Sequence, residues 1–263
     1  VPLNIAHRGA RSLAPENTLA AANKAHTLGC DAWETDLAIT ADNELILFHD
    51  DSLARTTNVE AVFPDRAPGP FTDYTLAEIR TLDAGSWFAA KDPHGAIAAG
   101  EIDAADLALY KGERVPTLRE ALSFTVERNW RMNLELKRLP KNKADFPVVE
   151  HVLALVREMN ISPRHLLFSA ARHDWLEEIR NHAPEFALEA LIGILPEDPM
   201  DYSNWAFDTY NIRQTRISED EVKEIIGRGK AVNLYVVNDP KDIQRWTAAG
   251  AAGLITDFPQ RLA

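Results

Sequence analysis

The stretch TLREALSFTVERNWRMNLELK, residues Thr117 to Lys137, decides the fold. Thr117 and Glu120 stand at capping-box spacing, which predicts a helix running to about Arg128. Residues 132–136 (MNLEL) then form a stretch too short for a helix and suited to a strand. A capped helix feeding a strand is the repeating unit of α/β folds. Toward the C-terminus the unit recurs. A helix is expected over 145–159 and a strand over 165–168, then a helix near 173–181 and a strand over 188–195, with a short strand near 205–210. Ser218 with Glu221 caps a helix to Gly227, before a strand over 231–237. Asp239-Pro240 opens another helix before the last strand at Gly253–Thr256. Toward the N-terminus, residues 3–6 form a strand ending in His7-Arg8-Gly9. Pro15 sits where a helix would start, and that helix runs to Gly29. Strands over 32–37 and 45–48 flank an Asp42-Asn43 turn.

Alternation of this kind with a strand count near eight predicts a closed (β/α)₈ TIM-type barrel, with a doubly wound open sheet as the structural alternative. The whole chain, 1–263, reads as one barrel domain with an insertion after strand three, roughly residues 51–115. That insertion is rich in Pro and Gly, and Thr75 with Glu78 caps a short helix inside it. A length of 263 residues, 46% hydrophobic and 26% charged, is enough for a full core without disulfides or structural metal. Lys+Arg 28 against Asp+Glu 40 gives a net charge of −12, which argues against a nucleic-acid partner or an anionic membrane surface. No apolar run approaches the ~20 residues of a membrane span, so no stable membrane insertion is expected. The single Cys30 fits a cytoplasmic location. The start at Val1-Pro2 keeps a processed N-terminus, and hence a periplasmic or secreted protein, open.

Polar residues interrupt the apolar strands at one kind of place. His7 and Arg8 follow strand one. Glu34 and Asp36 lie two apart on strand two and share a face, His49 follows strand three, and Glu135 and Lys137 end strand four. In a parallel barrel these strand ends meet at the face where barrel enzymes keep their chemistry. Three converging carboxylates repel one another, which raises a pKa or demands a cation, and their hard oxygens suit Mg²⁺ or Ca²⁺. The structural alternative pairs Glu34 or Asp36 with Arg8, and Glu135 with Lys137, as salt bridges. Two histidines beside a divalent metal and two cations suggest hydrolysis of a phosphate ester. Arg8 and Lys137 would neutralise the non-bridging oxygens while His7 and His49 move protons. No Walker loop, G-x-G-x-x-G, G-x-S-x-G or H-E-x-x-H occurs, which removes nucleotide-dependent phosphoryl transfer, dinucleotide binding, the α/β-hydrolases and a zincin.

Motifs spanning nearly the whole chain resemble the glycerophosphodiester phosphodiesterase family. They are Ala6-His7-Arg8-Gly9, Pro15-Glu16-Asn17-Thr18, Glu34-x-Asp36 with Thr40-x-Asp42, and His49-Asp50 with Leu53, Arg55, Thr56 and Thr57. Further on come residues 82–88 (LDAGSWF), Val115-Pro116-Thr117-Leu118, Leu134-Glu135-Leu136-Lys137 and residues 253–259 (GLITDFP). The resemblance implies a TIM-type barrel and one divalent metal, usually Ca²⁺ or Mg²⁺, on Glu34, Asp36 and Glu135. It makes His7 and His49 the acid-base pair and Arg8 and Lys137 phosphate contacts. It implies small-molecule substrates, deacylated phospholipids, cleaved to glycerol 3-phosphate and an alcohol, with attack by water or by the neighbouring glycerol hydroxyl through a cyclic phosphate. Asn43 replaces the family's usual turn Gly and also tolerates positive φ. The late strand reads Leu234-Tyr235-Val236-Val237-Asn238 in place of V-W-T-V-N, leaving Tyr235 as its aromatic wall. Trp87 is a second candidate wall, and the long segment 96–109 is expected to reshape the entrance. Other readings of the same barrel are a lysophospholipase D-like or cyclising phosphodiesterase, a metal-independent glycosidase using a carboxylate pair, and a silent binding barrel.

Overall fold

A computed structural model describes residues 1–262. Its first half carries β1 (Leu3–His7), α1 (Leu19–Thr27), β2 (Ala32–Ile39) and β3 (Leu45–Leu47). Four short helices follow, α2 (Val59–Val62), α3 (Leu76–Ile79), α4 (Ser86–Lys91) and α5 (Ala104–Tyr110), and then α6 (Leu118–Glu127) and β4 (Met132–Leu136). The second half alternates regularly through α7 (Val148–Glu158), β5 (Leu166–Ala170), α8 (His173–His182), β6 (Ala187–Ile192), β7 (Thr209–Arg213), α9 (Glu219–Gly227), β8 (Ala231–Tyr235), α10 (Pro240–Ala249) and β9 (Gly253–Thr256).

Eight of these strands pair in parallel in the order β1-β9-β8-β7-β6-β5-β4-β2, and a further β1–β2 pairing closes the ring. This is the expected (β/α)₈ barrel, with one difference. Strand β3 is not a barrel stave. The turn at Asp42-Asn43, with Asn43 at φ 67°, reverses the chain, and β3 runs antiparallel along β2 on the outside. Reversal carries the chain back to the level of Asp36, whose carbonyl accepts the Phe48 N–H at 2.9 Å, so His49 arrives beside the carboxylates.

The capping boxes at Thr75/Glu78, Thr117/Glu120 and Ser218/Glu221 all form. The first helix starts later than Pro15 suggests. Thr18 is its cap, accepting from the Ala21 N–H at 3.2 Å while donating to the Pro15 carbonyl at 2.6 Å. The strand expected near 205–210 falls instead at Thr209–Arg213, because the aromatic run before it packs as a loop, Tyr202 stacked on Trp205 at 4.4 Å.

Segment 51–115 packs in two patches. Phe71, Tyr74, Ile79, Leu82 and Val115 cover Ile46 and Phe48 of the hairpin. Phe88, Ala96, Ile102 and Tyr110 lie on Leu13, Ala14 and Ala21, beside α1. Tyr110 Oη donates to the Leu13 carbonyl at 3.0 Å. Gly85 lets the backbones close up there: a Cβ on it would sit 1.7 Å from the Tyr110 carbonyl oxygen.

Inside the barrel runs a polar layer absent from the sequence reading. Glu189 Oε2 accepts from the side-chain amides of Asn133 at 3.2 Å, Asn211 at 3.0 Å and Asn233 at 3.3 Å, and Ser169 Oγ donates to Asn133 Oδ1 at 2.7 Å. The amides come from β4, β7 and β8, and together they satisfy a carboxylate that would be costly to bury alone.

Candidate active site

Strand register assembles the site. His7 sits opposite Glu34 and Asp36 opposite Glu135 across parallel ladders, and the two-residue period turns Glu34 and Asp36 into the barrel mouth together. Oxygens of Glu34, Asp36 and Glu135 lie within 4.8 Å of one another. Arg8 follows β1 with φ 55°, which aims its N–H at Glu34 Oε2, 3.0 Å away. Gly9 continues the turn at φ 78°, where a Cβ would meet the Ala21 backbone at 2.6 Å. Arg8 Nε lies 3.2 Å from Asp36 Oδ2, and Lys137 Nζ lies 3.4 Å from Asp36 Oδ1 and 3.6 Å from Glu135 Oε1.

The three carboxyls are not alike. Burial pushes Glu34 well above the ordinary carboxylate range, and the nearby Asp36 and Glu135 push it further. Burial also raises Glu135. Burial works against Asp36 too, but Lys137 and Arg8 outweigh it and hold this carboxyl far below its usual value. Two cations are thus too few for three buried carboxylates, and Glu34 Oε1 is buried with no partner. Three hard oxygen donors with one oxygen unsatisfied fit a hard divalent cation. The salt bridges of the structural alternative are present as well, but they leave this oxygen unanswered.

Each site histidine is braced by a carboxylate. His7 Nδ1 lies 2.6 Å from Asp257 Oδ1, and its Nε2 faces Glu34 Oε2 at 3.9 Å. His49 Nδ1 lies 2.6 Å from Asp50 Oδ1. An Nδ1–H donated to a carboxylate fixes the tautomer and leaves Nε2 open. Burial, helped by Arg8, holds His7 down to about 4 against the pull of Asp257. Asp257 also accepts from Asn238 Nδ2 at 2.8 Å and from Arg11 Nη1 at 3.3 Å. Glu16 ties the two braces together, accepting from Arg8 at 2.8 Å, from Arg11 at 2.6 Å and from Arg55 at 2.6 Å and 3.0 Å, while Arg55 also bonds Asp50 at 3.0 Å. Burial opposes its ionisation, but the Arg55 hydrogen bonds and Arg8 bring Glu16 down to about 2.

A cavity of about 120 Å³ opens among these groups, lined by His7, Arg8, Glu34, His49, Glu135 and Lys137 on one side and by Asn133, Ser169, Asn211, Arg213 and Tyr235 on the other. Tyr235 therefore reaches the cavity, although its Oη is already donated to the Ile192 carbonyl at 2.9 Å. Trp87 does not: its indole N–H donates to the Ala84 carbonyl at 2.9 Å and its ring packs edge-on to Phe88, within the insertion. Lining this cavity there is no residue of 51–115. Arg213, a further cation, escaped the sequence reading because the β7 run was placed too early, leaving it outside any strand end. The bracing role of Asp257 escaped too; its place after an apolar strand, inside the motif at 253–259, marked it.

The model of the family described as "Glycerophosphoryl diester phosphodiesterase family" matches residues 7–261. Over 263 residues the chain is 29% identical to a glycerophosphodiester phosphodiesterase of Caldanaerobacter subterraneus subsp. tengcongensis, covering 99% of this chain and 96% of that one. Over 266 residues it is 29% identical to the glycerophosphoinositol inositolphosphodiesterase GDPD2 of Mus musculus, covering 98% of this chain and 46% of the mouse protein, so it spans under half of that relative. The solved structure of an Oleispira antarctica phosphodiesterase, in complex with its product sn-glycerol-3-phosphate, matches with a TM-score of 0.78 at 26% identity, covering 100% of this chain and 95% of that one. Among the described residues no helix is long and apolar enough to cross a membrane.

Proposed function

The chain belongs to the glycerophosphoryl diester phosphodiesterase family, and from that premise we propose that it hydrolyses glycerophosphodiesters to sn-glycerol 3-phosphate and an alcohol. The observation that carries this reading is a cluster of three carboxylates, two of which, Glu34 and Glu135, line one small cavity together with two braced histidines and two cations. The product bound by the Oleispira relative supports the choice of substrate. Glu34, Asp36 and Glu135 would hold one divalent cation, Ca²⁺ or Mg²⁺. Such an ion supplies charge neutralisation at phosphorus and lowers the pKa of an oxygen nucleophile.

The side chains do the rest. Arg8 and Lys137 neutralise the non-bridging oxygens of the phosphodiester. His7, kept neutral by burial, takes the proton of the attacking hydroxyl through Nε2, with Asp257 holding its ring. His49, braced by Asp50, gives a proton to the leaving alcohol oxygen. The attacking group is the glycerol hydroxyl next to the phosphoester, since a hydroxyl held in the same molecule has an effective molarity reaching ~10⁵–10⁸ M. A cyclic glycerophosphate results, and water opens it with the two histidines in exchanged roles. Tyr235, with Arg213 within reach of its ring, walls the substrate side. The chain works as one barrel unit, with 51–115 as an excursion that packs on its flank.

The test is release of glycerol 3-phosphate from glycerophosphodiesters with EDTA and with Ca²⁺ or Mg²⁺ restored. Activity lost to EDTA and regained with metal supports the reading; unchanged activity in EDTA refutes the metal. An analogue lacking the neighbouring hydroxyl should bind without being cleaved, and its hydrolysis at near-normal kcat would make water the nucleophile.

A further inference from the structure

Beyond the mouth of the central cavity lies a second one of about 420 Å³, at the C-terminal ends of β4, β5 and β6. The two share Glu135, Lys137, Leu191 and Ile194. A molecule whose phosphate rests by Glu135 and Lys137 can therefore extend into it. Leu191, Ile194 and Leu195 give the second cavity an apolar side. Its ionisable lining carries both signs: beside the shared Glu135 and Lys137 stand Arg138 and Arg172 after β4 and β5, His173 at the start of α8, and Asp198 and Asp201 on the loop between β6 and β7, with Asp201 4.0 Å from His173. Arg172 is answered by Asp174 next to it. Among the described residues, Arg138 and Asp198 take part in no ion pair, with each other or with any other residue, although they line the same cavity.

The loop that carries the carboxylates is firmly held. Asp198 Oδ2 accepts the Leu195 N–H at 2.8 Å, and Arg216 donates to the Asp198 carbonyl at 2.8 Å and to the Leu195 carbonyl. His173 joins Ser203 Oγ at 2.6 Å to the Leu191 carbonyl at 3.1 Å. The loop carboxylates are thus placed before any ligand arrives, which lowers the cost of ordering on binding.

Unpaired charges of opposite sign in one cavity discriminate among leaving alcohols. An alcohol bearing only an ammonium gains at Asp198 and meets repulsion at Arg138. An alcohol bearing only an anion meets the reverse. A neutral polyol gains hydrogen bonds but answers neither charge. An alcohol with both signs answers both. Resting on the phosphodiesterase reading, we propose that this second cavity holds the leaving alcohol and selects a zwitterionic amino alcohol of the serine type. Its ammonium would face Asp198 and Asp201, and its carboxylate Arg138.

The test compares kcat/KM on glycerophosphodiesters with serine, ethanolamine, choline, inositol and glycerol headgroups, read by glycerol 3-phosphate release in the metal-loaded protein. The serine substrate is expected to lead, by roughly fivefold or more over ethanolamine, the worth of one partly exposed charge pair. Asp198→Asn should lower the serine-to-glycerol ratio by a similar factor, and Arg138→Gln the serine-to-ethanolamine ratio. Each ratio is taken within one preparation, so a partly unfolded variant does not distort it. Preference for ethanolamine, choline or inositol, or ratios that neither variant moves, overturns the headgroup assignment while the phosphodiesterase reading stands. No glycerol 3-phosphate from any substrate overturns both.

Discussion

Replacing Glu34 by glutamine is expected to move two measurements in opposite directions. The side chain is 4% exposed and its oxygens lie within 4.8 Å of those of Asp36 and Glu135. Two unit charges at that distance repel by about 3.5 kcal/mol at an effective dielectric of 20. Arg8 and Lys137 cancel part of this, so removing an ionised Glu34 should stabilise the metal-free protein by about 1–3 kcal/mol. Glutamine keeps the shape and can still accept the Arg8 N–H. The gain depends on pH with a definite sign. Glu34 has its folded pKa raised, so the wild type keeps the stability associated with a protonated Glu34 below the ordinary value of 4.5 and loses it as pH rises through the folded pKa. The advantage of the glutamine variant should therefore be near zero in acid and grow toward alkaline pH. Metal reverses the ranking. A divalent cation at a hundred times its Kd stabilises the wild type by about 2.7 kcal/mol, a Tm rise of roughly 5–11 °C for a domain of this size, and the variant should lose most of that rise. The assay is thermal unfolding of both proteins in EDTA and with added Ca²⁺ or Mg²⁺, at pH 5 and pH 8.5. A variant less stable than wild type in EDTA at both pH values, with an undiminished metal shift, would refute the assignment of the triad.

His7→Ala and His49→Ala should each lower kcat by ~10²–10⁴ with the circular dichroism spectrum unchanged; a loss under tenfold removes that residue from proton transfer. Asp257→Asn lets an amide donate to His7 Nδ1 and so places the imidazole proton on Nε2, the wrong tautomer for a base. A loss of about 10²–10⁴ in kcat with KM little changed is expected, and equal activity would show that the brace does not matter. Because burial holds His7 near 4, the unfolded chain binds this proton more readily between about pH 6.5 and pH 4, so stability should fall as pH drops through that window, by about 3 kcal/mol in full. Urea titrations of wild type and His7→Gln should differ in that slope, and parallel curves would contradict the burial argument. Phe88→Ala empties a fully buried site in the insertion and should cost about 3–5 kcal/mol by urea unfolding. The same variant should leave KM unchanged, since no residue of 51–115 lines the central cavity; a raised KM would mean that the insertion reaches the substrate.

Features that depend on local spacing were readable in the sequence. The capping pairs at 117/120 and 218/221 are local, and so is the two-residue period that turns Glu34 and Asp36 to one face. Features that depend on place in the ring were not. The Asp42-Asn43 turn points to a hairpin, but nothing in residues 45–48 says that this strand lies outside the ring, because a hairpin strand and a barrel stave share the same apolar period. Contacts across long separations were equally hidden. Glu16 meets Arg55 39 residues away. Trp87 looked like a substrate wall by its place in a motif, but its indole N–H is spent three residues back on Ala84. The interior asparagines at 133, 211 and 233 look like defects in apolar strands until the closed ring brings them to Glu189.

The pairing of the first barrel strand with the last bears on how the chain emerges from the ribosome. His7 is made 250 residues ahead of its brace, Asp257. At the usual pace of translation, β1 waits on the order of 10–50 s for β9 to close the ring. Once β8 is made and until β9 arrives, β1 and β8 each have an unsatisfied edge, and for the whole wait His7 lacks the carboxylate that holds its ring. The His7–Asp257 pair is therefore complete only once β9 has been added. A ribosome stalled between Tyr235 and Gly253 would display two open strand edges, the kind of surface that chaperones hold and that otherwise recruits a neighbouring chain.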